Sequence, residues 1–502
     1  MLAWTIYLPL AAAVALLLAR PKNAEAPRWL ALLTTLATVL ISVVELAGRG
    51  TTGGNVVTIT KLPWIPQLGI QYFLAADGIS VTLVLLTAIA AFVGILFSWN
   101  ITHRAAEFFA LYLLLIGGVF GVFLSFDLFL LFAFYELAII PKYFLIAIWG
   151  STNREYGAMK LVLYSFLGSA LVLISMIAVF GVMGTPTFDM VELAKHPFGR
   201  SFQLWVFPMV FVGFAVLAGM WPFHTWAPTG HVAAPTAASM LLAGVVMKLG
   251  AYGALRVGLG LFPEGARYWG TTVATLAVIG IVYGALVALV QRDFKFVIGY
   301  SSVSHMGFVM LGLASLNFVG MAGAVLQMFS HGIIAGLLFG VVGRMVYDRT
   351  HTRDLDELEK MSLAKAMPYA AAVFGIATFA SMGMPGFSGF VAEMQVLVGA
   401  WQASPTLAVL AGLGILVGVG YSLRALQRAF LAHDGDPEAK PAAAGHGSHH
   451  ALAAITFPEK LGAILLIGCS LVVGLYPAVL LDLIVPALKS PFFHGLTQPF
   501  GR

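Results

Sequence analysis

Apolar residues run along this chain in blocks of about 17–25, the length needed to cross a bilayer as a helix, with short polar stretches between them. The blocks fall near 2–19, 28–47, 78–99, 107–125, 127–149, 157–183, 204–222, 234–257, 270–290, 294–314, 319–343, 368–402, 405–430 and 461–484. They predict an all-α polytopic membrane protein of about fourteen transmembrane helices. The first block, MLAWTIYLPLAAAVALLLARPK, has no basic residues ahead of its apolar run, so it reads as a spanning helix and not as a cleaved signal.

Two blocks are interrupted. The seventh ends at Trp221-Pro222 and runs into Phe223-His224-Thr225-Trp226-Ala227-Pro228, and the twelfth contains Gly383-Met384-Pro385-Gly386-Phe387-Ser388-Gly389. Proline removes a backbone donor, and the freed groups are tolerated at membrane depth only where protein or a watery cavity satisfies them. Each break is fourth in a set of five helices, four to eight and nine to thirteen, which predicts two inverted five-helix repeats with the transport path at the breaks. The predicted organisation is therefore 1–103 (helices one to three), 104–257 (first repeat), 258–431 (second repeat) and 432–502 (a His-containing loop and helix fourteen).

Lysine and arginine concentrate in the connections after odd-numbered helices, among them Arg20, Lys22, Arg104, Arg154, Arg292, Arg344, Arg353, Lys360 and Arg428. Fewer follow even-numbered ones, where Lys61, Lys195, Arg200, Arg256 and Arg267 are counted. The positive-inside rule then places both termini outside, in the periplasm of a bacterial inner membrane. Composition agrees with a membrane protein: 60% of the residues are hydrophobic and 10% charged. The net charge of +5 is accounted for by cytoplasmic loops and needs no nucleic-acid partner. The single cysteine, Cys469, excludes an internal disulfide and a cysteine-bound cluster, and no haem, dinucleotide or P-loop motif is present. No cofactor and no metal are expected in this chain.

Against that apolar background a few ionisable residues stand out. Lys248 lies about fourteen residues, or roughly 21 Å of helix, into its block, near the bilayer centre. A charge there costs about 2.5–3.5 kcal/mol on insertion scales, so it faces protein or water, and its default reading is functional. Glu136 lies near the centre of FDLFLLFAFYELAIIPKYFLIAIWG with Lys142 six residues on, and Glu393 follows the second break. Carboxylates this deep respond to a neighbouring cation and make proton stations; the competing reading is a static buried ion pair. His305 in SSVSHMG and His331 in QMFSHGI either relay protons or pack as hydrogen-bonded core histidines. His224 and His231 flank the first break, where they cap backbone groups or open a proton entrance. Lys295, at a helix start beside Asp293, reads as an interfacial anchor. His433, His446, His449 and His450 belong to an Ala-, Gly- and Pro-rich loop that favours disorder over metal binding.

Taken together, FYELAIIPKYFLIAIWG, PFHTWAPTGHVAAPTA, LLAGVVMKLGAYG, YSSVSHMGF, QMFSHG, YDRTHTRDL and GMPGFSGFVAE resemble the antiporter-like membrane subunits of respiratory complex I over about 77–428. Glutamate at position 393 is similar to the M type; the L and N types carry lysine there. The resemblance implies a place in the membrane arm of an NADH:quinone oxidoreductase, beside L-type and N-type subunits, with FMN, iron–sulfur clusters and quinone on other chains. It implies proton transfer through Glu136, Lys248, His305, His331 and Glu393. The motif departs from the family at Leu217, where a lysine usually pairs with the helix-five glutamate, and at Trp226 to Thr236, which lacks two acidic residues. Lys142 is a candidate replacement partner for Glu136, although six residues turn through about 600° of a straight helix. Two rival functions remain: a subunit of a multisubunit sodium/proton antiporter or membrane hydrogenase, and a structural subunit that no longer pumps.

Overall fold

The computed structural model describes residues 1–48, 55–431 and 452–497. Its helices are α1 (Trp4–Ala19), α2 (Glu25–Gly48), α3 (Gly78–Phe97), α4 (Ala105–Leu124), α5 (Leu128–Trp149), α6 (Arg154–Val182) and α7 (Arg200–Ala218). There follow α8 (Trp226–Ala233), α9 (Thr236–Leu259), α10 (Pro263–Val290), α11 (Phe294–Ala314) and α12 (Phe318–Thr350). The chain ends with α13 (Pro368–Ser381), α14 (Ser388–Ala403), α15 (Pro405–Phe430), α16 (Phe457–Leu475) and α17 (Ala478–Leu488). Twelve helices among the described residues are long and apolar enough to span a membrane. A total of fourteen requires α1, with 16 residues, and the two-piece α13–α14, with 14 and 16. The His-rich loop with His433, His446, His449 and His450 lies outside the described residues.

The all-α architecture carries one small β element. Between α2 and α3 the chain forms an antiparallel hairpin, β1 (Val57–Ile65) and β2 (Ile70–Ala76), paired from Val57 with Ala76 to Ile65 with Ile70. Val57, Thr58, Ile59 and Thr60 are β-branched residues that suit a strand, and the turn closes at Gly69 in the left-handed region, φ 68°.

Side chains of the Asp and Asn residues just ahead of four helices bind their first free backbone N–H groups, which fixes where each helix begins. Asp77 accepts from Ser80, Asp127 from Leu130, Asp293 from Lys295 and Phe296, and Asn317 from Gly320. Asp127 and Asp293 are further tied by isolated backbone bridges, the first to Asp189 and the second to Asp354. The two bridges occupy matching places in the two predicted repeats, each joining the start of a helix to the connection before a broken helix.

Packing sorts the helices by depth. α9 and α12 are buried along their spanning length, and α3, α4 and α11 nearly so. By contrast α2, α15 and α16 turn most of their residues outward, with Leu33, Leu40, Leu416 and Val472 exposed. An apolar outer surface needs a lipid or protein neighbour, as an integral membrane protein has.

Candidate functional site

At the centre of the bundle α9 and α12 approach until their backbones touch, which only glycine allows. A Cβ on Gly332 would lie 2.6 Å from the Gly244 carbonyl oxygen, and one on Gly244 would lie 3.1 Å from that of Gly332. α9 is also widened into a π-helical turn at Leu242–Val246, a distortion that tends to occur at functional sites. The turn leaves the Ala243 carbonyl open to Lys248, whose ammonium donates to it. The close approach sets Lys248 against the residue next to Gly332. Lys248 Nζ lies 2.7 Å from His331 Nδ1, and the lysine is fully buried.

From His331 the row continues without a gap. The rings of His331 and His305 stack with centroids 5.4 Å apart, and His305 Nδ1 lies 3.1 Å from Glu393 Oε1. The Gln327 amide nitrogen donates to the same carboxylate oxygen at 3.2 Å and lies 3.4 Å from His305 Nδ1. On its other nitrogen His305 meets the Ser381 hydroxyl at 3.2 Å. A small cavity of about 10 Å³ lies against this group, roughly the room of one water molecule, and is lined by His305, Gln327, Ser330, His331, Ser381 and Glu393. His331 Nε2 is buried without a hydrogen-bond partner, so one end of the imidazole is free to pass a proton on. The break between α13 and α14 shapes the far end. Gly383 adopts φ 72°, and a Cβ there would come within 2.9 Å of Glu393 Oε2.

Lys248, His331, His305 and Glu393, singled out by charge alone, thus form one contiguous row. The remaining candidates stand apart from it. His224 and His231 are both buried, and neither ring nitrogen of either is hydrogen-bonded. His231 packs on Phe339 at 5.3 Å, within electrostatic reach of Lys248 and Lys295, whereas His224 packs on Tyr283 at 5.1 Å. Glu136 is half-buried, with the Ser169 hydroxyl beside it. Lys142 is buried with its amine unpartnered; the two charges sense one another, but no ion pair joins them among the described residues. Leu217 is buried in apolar packing.

Two residues read differently from their sequence context. Lys295 is not an interfacial anchor: it is buried and its amine donates to the Ala234 carbonyl at 3.1 Å, at the first break. Arg256 is not in a loop but inside α9, fully buried 2.7 Å from Asp77 and surrounded by Phe126, Tyr252, Phe492 and Phe493. That pair fastens α9 to the start of α3. Gln327 and Ser381 had no signal in the sequence, because uncharged polar residues are common in apolar helices.

A family model described as NADH:quinone oxidoreductase/Mrp antiporter, TM, matches residues 125–418. A Rhodobacter capsulatus protein called NADH-quinone oxidoreductase subunit M is 38% identical over 499 residues, covering 96% of this chain and 94% of its own. Among solved structures, a chain of respiratory complex I from Thermus thermophilus aligns with TM-score 0.86 and 28% identity over 99% of this chain and 100% of that one. A chain of the Mrp complex from a Dietzia species aligns with TM-score 0.85 at 20% identity over 99% of each, a likeness of fold alone.

Proposed function

The chain belongs to the NADH:quinone oxidoreductase/Mrp antiporter family of membrane proteins, and on that premise we propose that it is the M-type, proton-translocating subunit in the membrane arm of a redox-driven NADH:quinone oxidoreductase. The observation that carries the reading is the contiguous row Lys248, His331, His305, Glu393 inside the bundle, in which the two imidazoles stack and the other neighbours lie within hydrogen-bond distance. Each member is a proton donor in one state and an acceptor in the other. The spacing lets a proton move from the Lys248 ammonium to His331 Nδ1, cross to His305 and reach the Glu393 carboxylate, with Gln327 and Ser381 holding the two acceptors in place.

Protons reach Lys248 from the arginine-rich, cytoplasmic side through the buried region of Lys295 and His231, with His224 on a second approach. The released proton leaves Glu393 towards the periplasm. Glu136, half-exposed at mid-membrane depth, faces a neighbouring subunit. A lone carboxylate there is stable only if covered, so the L-type and N-type subunits are the expected neighbours. The charge state of the Glu136 and Lys142 pair biases proton affinity at Lys248. FMN, iron–sulfur clusters and quinone belong to other chains of the complex, and the membrane is a bacterial inner membrane with both termini in the periplasm.

Leu217 and the missing ion pair at Glu136 favour a second reading, a structural subunit that no longer pumps. Lys248→Ala in the assembled complex separates the two. We expect a lower ratio of protons moved to electrons transferred; an unchanged ratio selects the structural subunit.

A further inference from the structure

The mechanism above leaves one buried titratable side chain unused beside Glu393. Tyr421, on α15, is 5% exposed and reaches the wall of two adjoining cavities. The first, of about 10 Å³, is lined by Ser304, His305, Ser381, Glu393 and Tyr421. The second, of about 20 Å³, is lined by Val297, Ser301, Thr378, Ser381, Tyr421 and Ser422. Both include Ser381 and Tyr421, so the two cavities meet at the phenol. The hydroxyls of Ser301, Ser381 and Ser422 cluster around it, and the Glu393 charge acts on it. An otherwise apolar helix bundle has no packing reason to gather three serine hydroxyls and a tyrosine on one side of a buried carboxylate.

The direction of this polar seam is set by helix geometry. Val297 and Ser301 lie four and eight residues after Asp293, so the second cavity runs from about 6 Å to about 12 Å below the end of α11 that faces the Arg353 loop. It therefore points to the arginine-rich side, opposite to the release side assigned to Glu393. Three aromatic rings close its outer end. Phe294 and Phe374 are 4.9 Å apart, Phe374 and Phe430 5.3 Å, and Phe294 and Phe430 6.4 Å. Beyond them Arg428 is paired with Asp356 and Glu359.

We propose that Tyr421 is a proton-carrying residue of a second uptake path, which connects Glu393 directly to the arginine-rich side through the Ser301–Tyr421–Ser381 seam and is gated by the Phe294, Phe374 and Phe430 rings. Water in the outer cavity delivers a proton to the Tyr421 oxygen while the phenol gives its own proton, through Ser381 or a water in the inner cavity, to the Glu393 carboxylate. The phenol is neutral before and after, and Glu393 gains one proton. The inference rests on the proton-translocating reading of this subunit.

The test uses the assembled complex in inverted membrane vesicles. Tyr421→Phe removes only the hydroxyl, and we expect the proton-to-electron ratio to fall with assembly unchanged, with Ser301→Ala giving a smaller fall. Access is measured separately. In a Cys469→Ser background, Ser422→Cys is exposed to a membrane-impermeant maleimide from each side. Labelling from the arginine-rich side, several-fold faster when Phe374→Ala opens the aromatic plug, supports the path. Labelling only from the opposite side, or no labelling with the plug removed, overturns it whatever the pumping result. If Lys248→Ala leaves the ratio unchanged, the pumping reading fails; if Lys248→Ala lowers it and Tyr421→Phe does not, only the second path fails.

Discussion

The two broken helices are built alike and furnished differently. Each break opens at a glycine in the left-handed region, Gly219 at φ 74° and Gly383 at φ 72°, and each follows a connection pinned by an aspartate bridge. At the first break the space over the glycine is taken by the Met247 methyl, and Leu217 lies buried two residues before it. At the second break the same space is taken by the Glu393 carboxylate. One backbone device therefore supports an apolar seal in one half and a titratable terminus in the other. On the proposed reading, proton chemistry follows the side chain placed over the break, not the break itself.

The strongest way to break that contrast is to separate the row at the helix crossing. A methyl on Gly332 meets the Gly244 carbonyl at 2.6 Å and the Leu86 side chain at 2.6 Å, so α9 and α12 must move apart. Gly332→Ala should destabilise the subunit by about 1–3 kcal/mol, the usual cost of overpacking a core, and should stretch the Lys248–His331 contact. Proton transfer measured in vesicles should fall by more than tenfold. Retained pumping would show that the contact is not on the path. Next in size is the comparison of the two carboxylates. Glu393→Gln removes the terminus of the row and should cut proton transfer by about tenfold, less than the roughly hundredfold or more that a positioned acid–base group contributes to a chemical step. Glu136→Gln, outside the row, should act through coupling and cost only a few-fold. Equal losses in paired measurements would mean that contiguity does not rank the sites.

The glycines themselves give a smaller and cleaner contrast. Gly219→Ala and Gly383→Ala should each cost about 1–2 kcal/mol for holding an L-residue in the left-handed region. At position 219 the neighbour is the tip of a flexible methionine, which can yield. At position 383 it is Glu393, whose displacement loosens its bond to His305. Melting of the complex should respond to both substitutions and the proton-to-electron ratio only to Gly383→Ala.

The sequence exposed Lys248, His331 and Glu393 because a charge or an imidazole in a long apolar run is costly and therefore conspicuous. The breaks were visible for the same kind of reason, since proline and glycine interrupt helices by known mechanisms. What stayed hidden depends on three-dimensional adjacency. Gln327 and Ser381 carry no charge to mark them. Arg256 lies so close to the predicted end of its helix that a loop position fitted equally well, although it is paired inside α9. Lys295 was misread because a lysine at a helix start is normally wet, and only the packing of Ala234 against it shows otherwise. The hairpin over 57–76 falls between apolar blocks, and Pro63 and Pro66, in its first strand and its turn, disguise a strand pair.

The mildest test concerns the two aspartate caps, which sit outside the spans. Burial pushes Asp127 up to about 6, against its bonds from the Leu130 and Gln71 amides, and Asp189 beside it adds to the rise. Asp293 is likewise raised by burial, but Arg353, 3.3 Å away, pulls it back. An acid whose folded value lies above its unfolded value favours folding most when protonated. For Asp127 that contribution is present below about pH 4, declines as pH rises to about 6 and is absent above it. Asn keeps the acceptor that caps α5 but cannot ionise. Asp127→Asn should therefore melt close to the native complex near pH 4.5 and above it at pH 7.5. The gap should be on the order of 1 kcal/mol or more. The matching Asp293→Asn should shift in the same direction but by less, because the Arg353 pair already offsets part of the burial cost of the charge. If both caps respond to pH in the same way, the aspartate bridges are equivalent in chemistry as well as in backbone, and the difference between the two halves is confined to the side chains over the breaks.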